Sequence, residues 1–242
     1  MERGLVSAFV VAAGIAAAGW FIGNGFVAGR AADRVVSVKG VAEREVKANL
    51  ALWPIRFVAA DDDLGRAQAR ISDHAAKVRA FLQINGIDPA NTELQAFNVT
   101  DSAANIYGGD RRDAPRYVIS QTLMVRSDDP EVIFAASQKV SDLVNAGVVL
   151  STEGGPGGGG PTYLFTKLND LKPSMIAEAT ASARQAAEQF AKDSRSVLGG
   201  IRQASQGVFV ILPRDQVPGE QEERQRDKIV RVVSTIEYHL RD

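Results

Sequence analysis

Gly4–Gly29, GLVSAFVVAAGIAAAGWFIGNGFVAG, holds 26 residues without an ionisable side chain between Arg3 and Arg30. At about 1.5 Å rise per residue, a helix of this length exceeds the roughly 30 Å hydrocarbon thickness of a bilayer. Backbone polar groups in lipid must bond within their own segment, so the run is expected to be helical. The stretch predicts a transmembrane anchor over residues 1–30 and a polar α+β domain over residues 31–242. A cleaved secretory signal is the competing reading. Such signals carry an apolar centre of about 7–15 residues before a small-x-small site. Val27-Ala28-Gly29 resembles one, but this run is longer and carries Trp20 and Phe21 deep inside. Its glycines fall as Gly19-x-x-x-Gly23 and Gly25-x-x-x-Gly29, a spacing that lets two helices approach closely. Gly19, Gly23, Gly25, Gly29 and Trp20 are therefore the candidate anchor and helix-packing residues. Glycine is also common in membrane helices for no further reason. Flanking charge sets Arg3 against Arg30, Arg34, Lys39, Arg44 and Lys47. A literal positive-inside count would keep the domain cytoplasmic, but long domains translocate regardless of charge.

The net charge of −1 gives no basic footprint for nucleic acid. Cysteine is absent, which excludes disulfides, thiolate metal sites and cysteine nucleophiles. Fold stability is expected to come from apolar burial.

Along the chain, Arg34 to Lys39 reads as a short strand that Gly40 breaks, and Val46 to Ala59 as a longer one. Pro54 has no amide donor, so this strand is expected at an edge or with a bulge. Asp61 or Asp62 is placed to cap a helix carrying Leu64, Ile71, Ala75, Val78 and Leu82 on one stripe. Asn85-Gly86 ends that helix. Strands follow at Thr92–Asp101 and Arg116–Arg126, joined by the polar loop Asn105–Pro115. In the second, Tyr117, Ile119, Leu123 and Val125 alternate with polar residues, the mark of a half-buried strand. Asp129-Pro130-Glu131 is a strong helix start, and Ile133, Ala136, Val140 and Leu143 form the stripe behind it.

The glycine-rich run Glu153–Pro161 lacks the helix and lysine that a phosphate loop needs and reads as a mobile hairpin tip. A short strand at Tyr163–Phe165 leads to a long helix, Leu168 to Val197. Its core face is Met175, Ile176, Ala179, Ala183, Ala186, Ala187 and Phe190. This alanine content permits close contact with a neighbour. Leu198-Gly199-Gly200 is expected to close the helix. Strands at Ile201–Leu212 and Ile229–Leu240 finish the chain, with Pro213–Lys228 an exposed or disordered loop between them. A helix followed by a strand pair thus recurs three times, which predicts an α+β domain of antiparallel sheet with helices on one face.

No catalytic, cofactor-binding or metal-binding constellation emerges. Asp61-Asp62-Asp63 lacks the spacing of a calcium loop, and Ser174 and Ser182 have no histidine nearby in sequence. His74 and His239 read as boundary residues, with Glu237 and His239 sharing a strand face. An open sheet with a long final strand presents unpaired backbone groups that invite augmentation. Tyr238, His239 and Leu240 are therefore candidate oligomer contacts.

Val36-Ser37-Val38-Lys39-Gly40, the Gly86-Ile87…Thr92…Tyr117–Val125 block, and Tyr163-Leu164-Phe165 through Leu198-Gly199-Gly200-Ile201 together resemble SIMPL-domain proteins, the YggE-like group. The resemblance covers about residues 34 to 241. It departs at the front, where Val41–Pro54 replaces a second glycine and a Pro-Asp pair. It implies a bacterial envelope protein, periplasmic or membrane-attached; with the anchor read from residues 1–30, the chain is expected to be single-pass at the inner membrane with its domain periplasmic. Its partners would be the lipid bilayer and copies of itself in a large, ring-shaped homo-oligomer with a structural or oxidative-stress role. The alternative is a secreted periplasmic sensor or small-molecule binding protein, and less an enzyme. The family supplies no enzymatic residues to carry over.

Overall fold

The computed structural model describes residues 2–31, 34–104, 115–151 and 159–241, and within the first helix it describes the side chains of residues 11–25. The chain divides into two compact units: Met1–Glu43, Asn169–Val210 and Arg231–Asp242 form one, and Arg44–Leu168 with Ile211–Val230 the other.

The first unit opens on α1 (Glu2–Ala31). Among the described residues, no helix is long and apolar enough to cross a membrane. This corrects the expected transmembrane anchor and the single-pass inner-membrane location that rested on it. The fold class is α+β with antiparallel sheets.

Beyond α1, this unit packs α5 (Leu168–Asp193) on a sheet whose strand order is β1 (Val35–Lys47), β9 (Asp227–Arg241), β7 (Val197–Gln206). Strand β8 (Val210–Pro213) also pairs with β9. β7 runs antiparallel to β9, with Leu198 opposite Leu240 and Ala204 opposite Ile236. Val38, Ala183, Ala187, Ile236 and Tyr238 form a cluster in its core. Helix α5 buries Met175, Ala179, Ala183, Ala187 and Ala191 along one stripe, whereas Phe190, expected on that face, is 59% exposed.

Gly40 does not break β1, which runs through it. A Cβ there would lie 1.8 Å from the Ala179 carbonyl oxygen and 2.5 Å from the Ala183 nitrogen. The strand lies against α5 backbone because this residue has no side chain. Nor does Gly199-Gly200 close the helix. Arg195 turns the chain in the left-handed region (φ 55°), and both glycines lie inside β7. A Cβ on Gly199 would stand 2.9 Å from the His239 carbonyl oxygen.

In the second unit the sheet order is β3 (Thr92–Asp101), β4 (Tyr117–Ser127), β2 (Leu50–Asp61), β5 (Val149–Leu150), with β6 (Thr162–Leu164) also pairing with β2. Strand β2 is central and unbulged at Pro54, which sits opposite Met124. On its other side β6 pairs with 50–52 and β5 with 57–58. The Arg56 carbonyl accepts from Ser151 on that side. Pro54, two residues away, faces the same way into the gap between the two short strands, where no donor is required.

Helix α2 (Leu64–Ile84) packs on β2 and β4. Ile71, Ala75, Val78 and Leu82 are buried with Trp53, Ile55, Phe57, Ile119 and Leu123, whereas Leu64 is 46% exposed. The capping residue is Asp63, whose carboxylate accepts from the Arg66 amide. Asp61 instead accepts from the Asp63 amide at 3.0 Å and pairs with Arg66 and Arg70 at 2.8 and 3.2 Å. Asp62 accepts from the Arg116 amide.

The third expected helix is two, α3 (Pro130–Ser137) and α4 (Ser141–Asn145). Between them the amides of Lys139 and Val140 reach back three residues, not four, and tighten the turn. Pro213–Lys228 is tied at several points. Lys228 is fully buried against Glu222, Arg214 pairs with Asp227 at 3.0 Å, and Asp215 and Gln225 exchange two hydrogen bonds. Loop residues 105–114 and the glycine-run residues 152–158 lie outside the described residues.

Candidate self-association edge

Strand β3 ends its sheet: β4 lies on one side and no strand on the other among the described residues. Its sequence, TELQAFNVTD, has no single alternation. Leu94 and Ala96 share one parity, Phe97 and Val99 the other. The register explains this: Gln95 faces Thr122 and Asn98 faces Ser120, so three steps on β3 match two on β4. The extra residue is a bulge, with Ala96 at φ 43°.

The bulge resets the parity. Leu94 lies opposite Leu123 and Val99 opposite Ile119, both partners fully buried on the helix-facing side. Phe97, two residues before Val99, shares that face. Helix α2 covers β2 and β4, and it leaves Leu94, Phe97 and Val99 at 39, 51 and 43% exposure. An apolar ledge therefore runs beside a row of unpaired backbone groups.

One end of the ledge is closed by charge. Arg116 grips Asp101 through two nitrogens at 3.3 Å each and lies 4.9 Å from the Tyr117 ring. That guanidinium, helped by the Ala103 amide, holds the Asp101 carboxyl below its ordinary pKa. In the other unit β7 is likewise terminal in its sheet, with Val197 and Ile201 exposed.

The residues singled out from sequence are placed otherwise. Tyr238 is buried in the first unit's core, while His239 and Leu240 are half-buried and Leu240 donates its amide to the Arg34 carbonyl. Trp20 is 70% exposed, and a Cβ on Gly19, Gly23 or Gly25 would meet nothing within 4 Å. Among the described residues these glycines hold no neighbour within the chain. Gly29 lies outside the described side chains. Sequence reading missed Leu94, Phe97 and Val99, although the parity switch between Ala96 and Phe97 was a usable signal of the bulge.

The sequence model of the family described as "SIMPL: Protein of unknown function (DUF541)" matches residues 36–233. The chain belongs to the SIMPL family. No curated protein matches it. The SIMPL match runs from the start of β1 into β9 and takes in both units and the whole of β3.

Proposed function

We propose that this SIMPL chain acts by assembling with copies of itself and not by turning over a substrate, and that the contact is the free edge of β3. The observation that carries this is the apolar ledge of Leu94, Phe97 and Val99 beside the outer edge of a ten-residue strand that has β4 on its inner side and no strand on the other among the described residues. A free edge is a template for another strand, and a second copy brings both the backbone partner and an identical apolar strip. The bulge limits uncontrolled growth by dividing the edge into two short runs. A net charge of −1 adds little repulsion between copies. The terminal β7 is a second edge, distinct from β3, so β3–β3 and β7–β7 contacts can alternate around a closed ring.

Sedimentation of the full chain across a concentration series tests the proposal. The expected result is an oligomer that weakens at least about 100-fold in Leu94→Lys/Val99→Lys, since each ledge side chain is worth about 1.5 kcal/mol, roughly tenfold, when fully buried. Circular dichroism should show both proteins folded. A wild-type chain that stays monomeric at about 100 µM, or a variant that assembles as well as wild type, overturns it.

A further inference from the structure

Helix α2 ends in an Asn-Gly pair, Asn85-Gly86, and that dipeptide carries a chemistry of its own. The glycine amide nitrogen can attack the asparagine Cγ. An N–Cγ bond forms, the Cγ–Nδ2 bond breaks, and ammonia leaves with the amide proton. Water then adds to either carbonyl carbon of the succinimide ring and opens it to aspartate or isoaspartate. Glycine favours the attack because it has no Cβ to crowd it.

The fold withholds each atom this reaction needs. The Gly86 amide donates to the Gln83 carbonyl at 3.1 Å. Asn85 Nδ2 donates to the Phe81 carbonyl at 2.9 Å, and its Oδ1 accepts from Lys139 Nζ at 3.1 Å. A lysine only donates and a carbonyl only accepts, so the carboxamide is fixed in one orientation. The backbone is set against ring closure as well. Closure requires the Asn85 Cβ to eclipse the Gly86 nitrogen about the Cα–C bond. At ψ 15° the residue's own nitrogen nearly eclipses it, and Cβ stands roughly a third of a turn away by tetrahedral geometry.

Turning that bond breaks the end of α2. It pulls the Gly86 amide from Gln83 and the Ile87 amide from the Leu82 carbonyl, which it meets at 3.0 Å. Ile87 is 3% exposed and belongs to the second unit's core, so this turn opens only with loss of its burial. Asn85 itself is half-buried and Gly86 exposed, which puts water within reach once the turn has opened.

We propose that Asn85 is a modification site gated by the fold: it deamidates, with water as co-reactant, only when the last turn of α2 opens. Isoaspartate carries the main chain through Cγ and so adds one carbon before the Gly86 amide. The Gly86 and Ile87 bonds to α2 then cannot both re-form. A transient opening becomes permanent, and α2 is loosened where it leads towards β3.

Peptide mass spectrometry on the full chain tests it, reading the exchange of NH2 for OH at Asn85 in one mildly alkaline buffer. The chain is kept folded or held unfolded in guanidinium chloride. Conversion is expected to be at least about tenfold slower in the folded chain. Ile87→Ala, shown folded by circular dichroism, should speed the folded reaction by about tenfold or more and leave the unfolded one unchanged. If that variant does not fold, Ile87→Val carries the same test with a smaller acceleration. The converted chain should exchange its last α2 amides faster than Asn85→Asp, which bears the same charge on an ordinary backbone. Equal conversion in folded and unfolded chains overturns the proposal, as does a folded rate that the Ile87 substitution leaves unchanged. Equal exchange in the converted chain and Asn85→Asp overturns the permanent loosening.

Discussion

The two units share one plan, a helix laid on antiparallel strands, and hold it together by opposite means. In the first, α5 presents alanines at 179, 183, 187 and 191, and β1 meets them at Gly40. In the second, α2 and the sheet interlock Ile71, Val78, Leu82, Phe57, Ile119 and Leu123, all at most 1% exposed. The alanine contact depends on how closely two backbones approach, and dispersion attraction there needs near-touching surfaces. The other depends on filled volume, where hydrophobic transfer dominates. One contact should therefore fail when something is added, the other when something is removed.

Removal gives the largest expected effect. Phe57 is fully buried at the centre of β2. Phe57→Ala should destabilise the second unit by about 3–5 kcal/mol through lost burial and the cavity left behind. Hydrogen exchange is the measurement to use, since it reads α2 and α5 amides separately. Faster exchange in α2 with α5 little changed supports the contrast. A loss below about 1 kcal/mol would mean that this core is not held by volume.

Addition comes next. Gly40→Ala puts one methyl carbon 1.8 Å from a carbonyl oxygen of α5, and the obstacle is backbone, not a side chain that can swing away. Overpacking of this kind costs about 1–3 kcal/mol or more. The expected signature is faster exchange in α5, with α2 unaffected. If α5 exchanges as in the wild type, close backbone approach is not what holds this unit.

The same contrast explains what could be read from the sequence. Large-residue packing writes itself locally. The alternation Tyr117, Ile119, Leu123, Val125 marked β4, with the last three buried and Tyr117 half-buried, and the stripe Leu64, Ile71, Ala75, Val78, Leu82 marked α2, with all but Leu64 buried. Alanine-and-glycine packing does not. Gly40 and Gly199-Gly200 read as breaks because a glycine shows its conformational freedom in sequence but not the distant backbone it admits. Pro54 read as an edge signal, since the gap between β5 and β6 is a product of long-range pairing. The ledge on β3 was hidden by one extra residue. The apolar leader was legible as a helix, but among the described residues no helix is long and apolar enough to cross a membrane.

Acid gives the smallest effect and sharpens the comparison by a different route. The Asp61 carboxyl is held below its ordinary pKa, chiefly by the Arg66 hydrogen bond and then by the Asp63 amide. Asp101 is depressed in the same way by Arg116. Both belong to the second unit. A carboxyl whose folded pKa lies below its unfolded one contributes stability that is fully present above the unfolded value, about 3.9, and is lost as pH falls through the folded value. The second unit should therefore loosen as pH drops below about 4, a change followed through the methyl resonances of Ile71 in that unit and Ile236 in the other. Asp61→Asn removes the titrating group, so its Ile71 signal should start from a less stable protein at neutral pH and vary less with acid. An acid response in Asp61→Asn as steep as in the wild type would show that the Asp61–Arg66 pair does not set the acid limit of this unit.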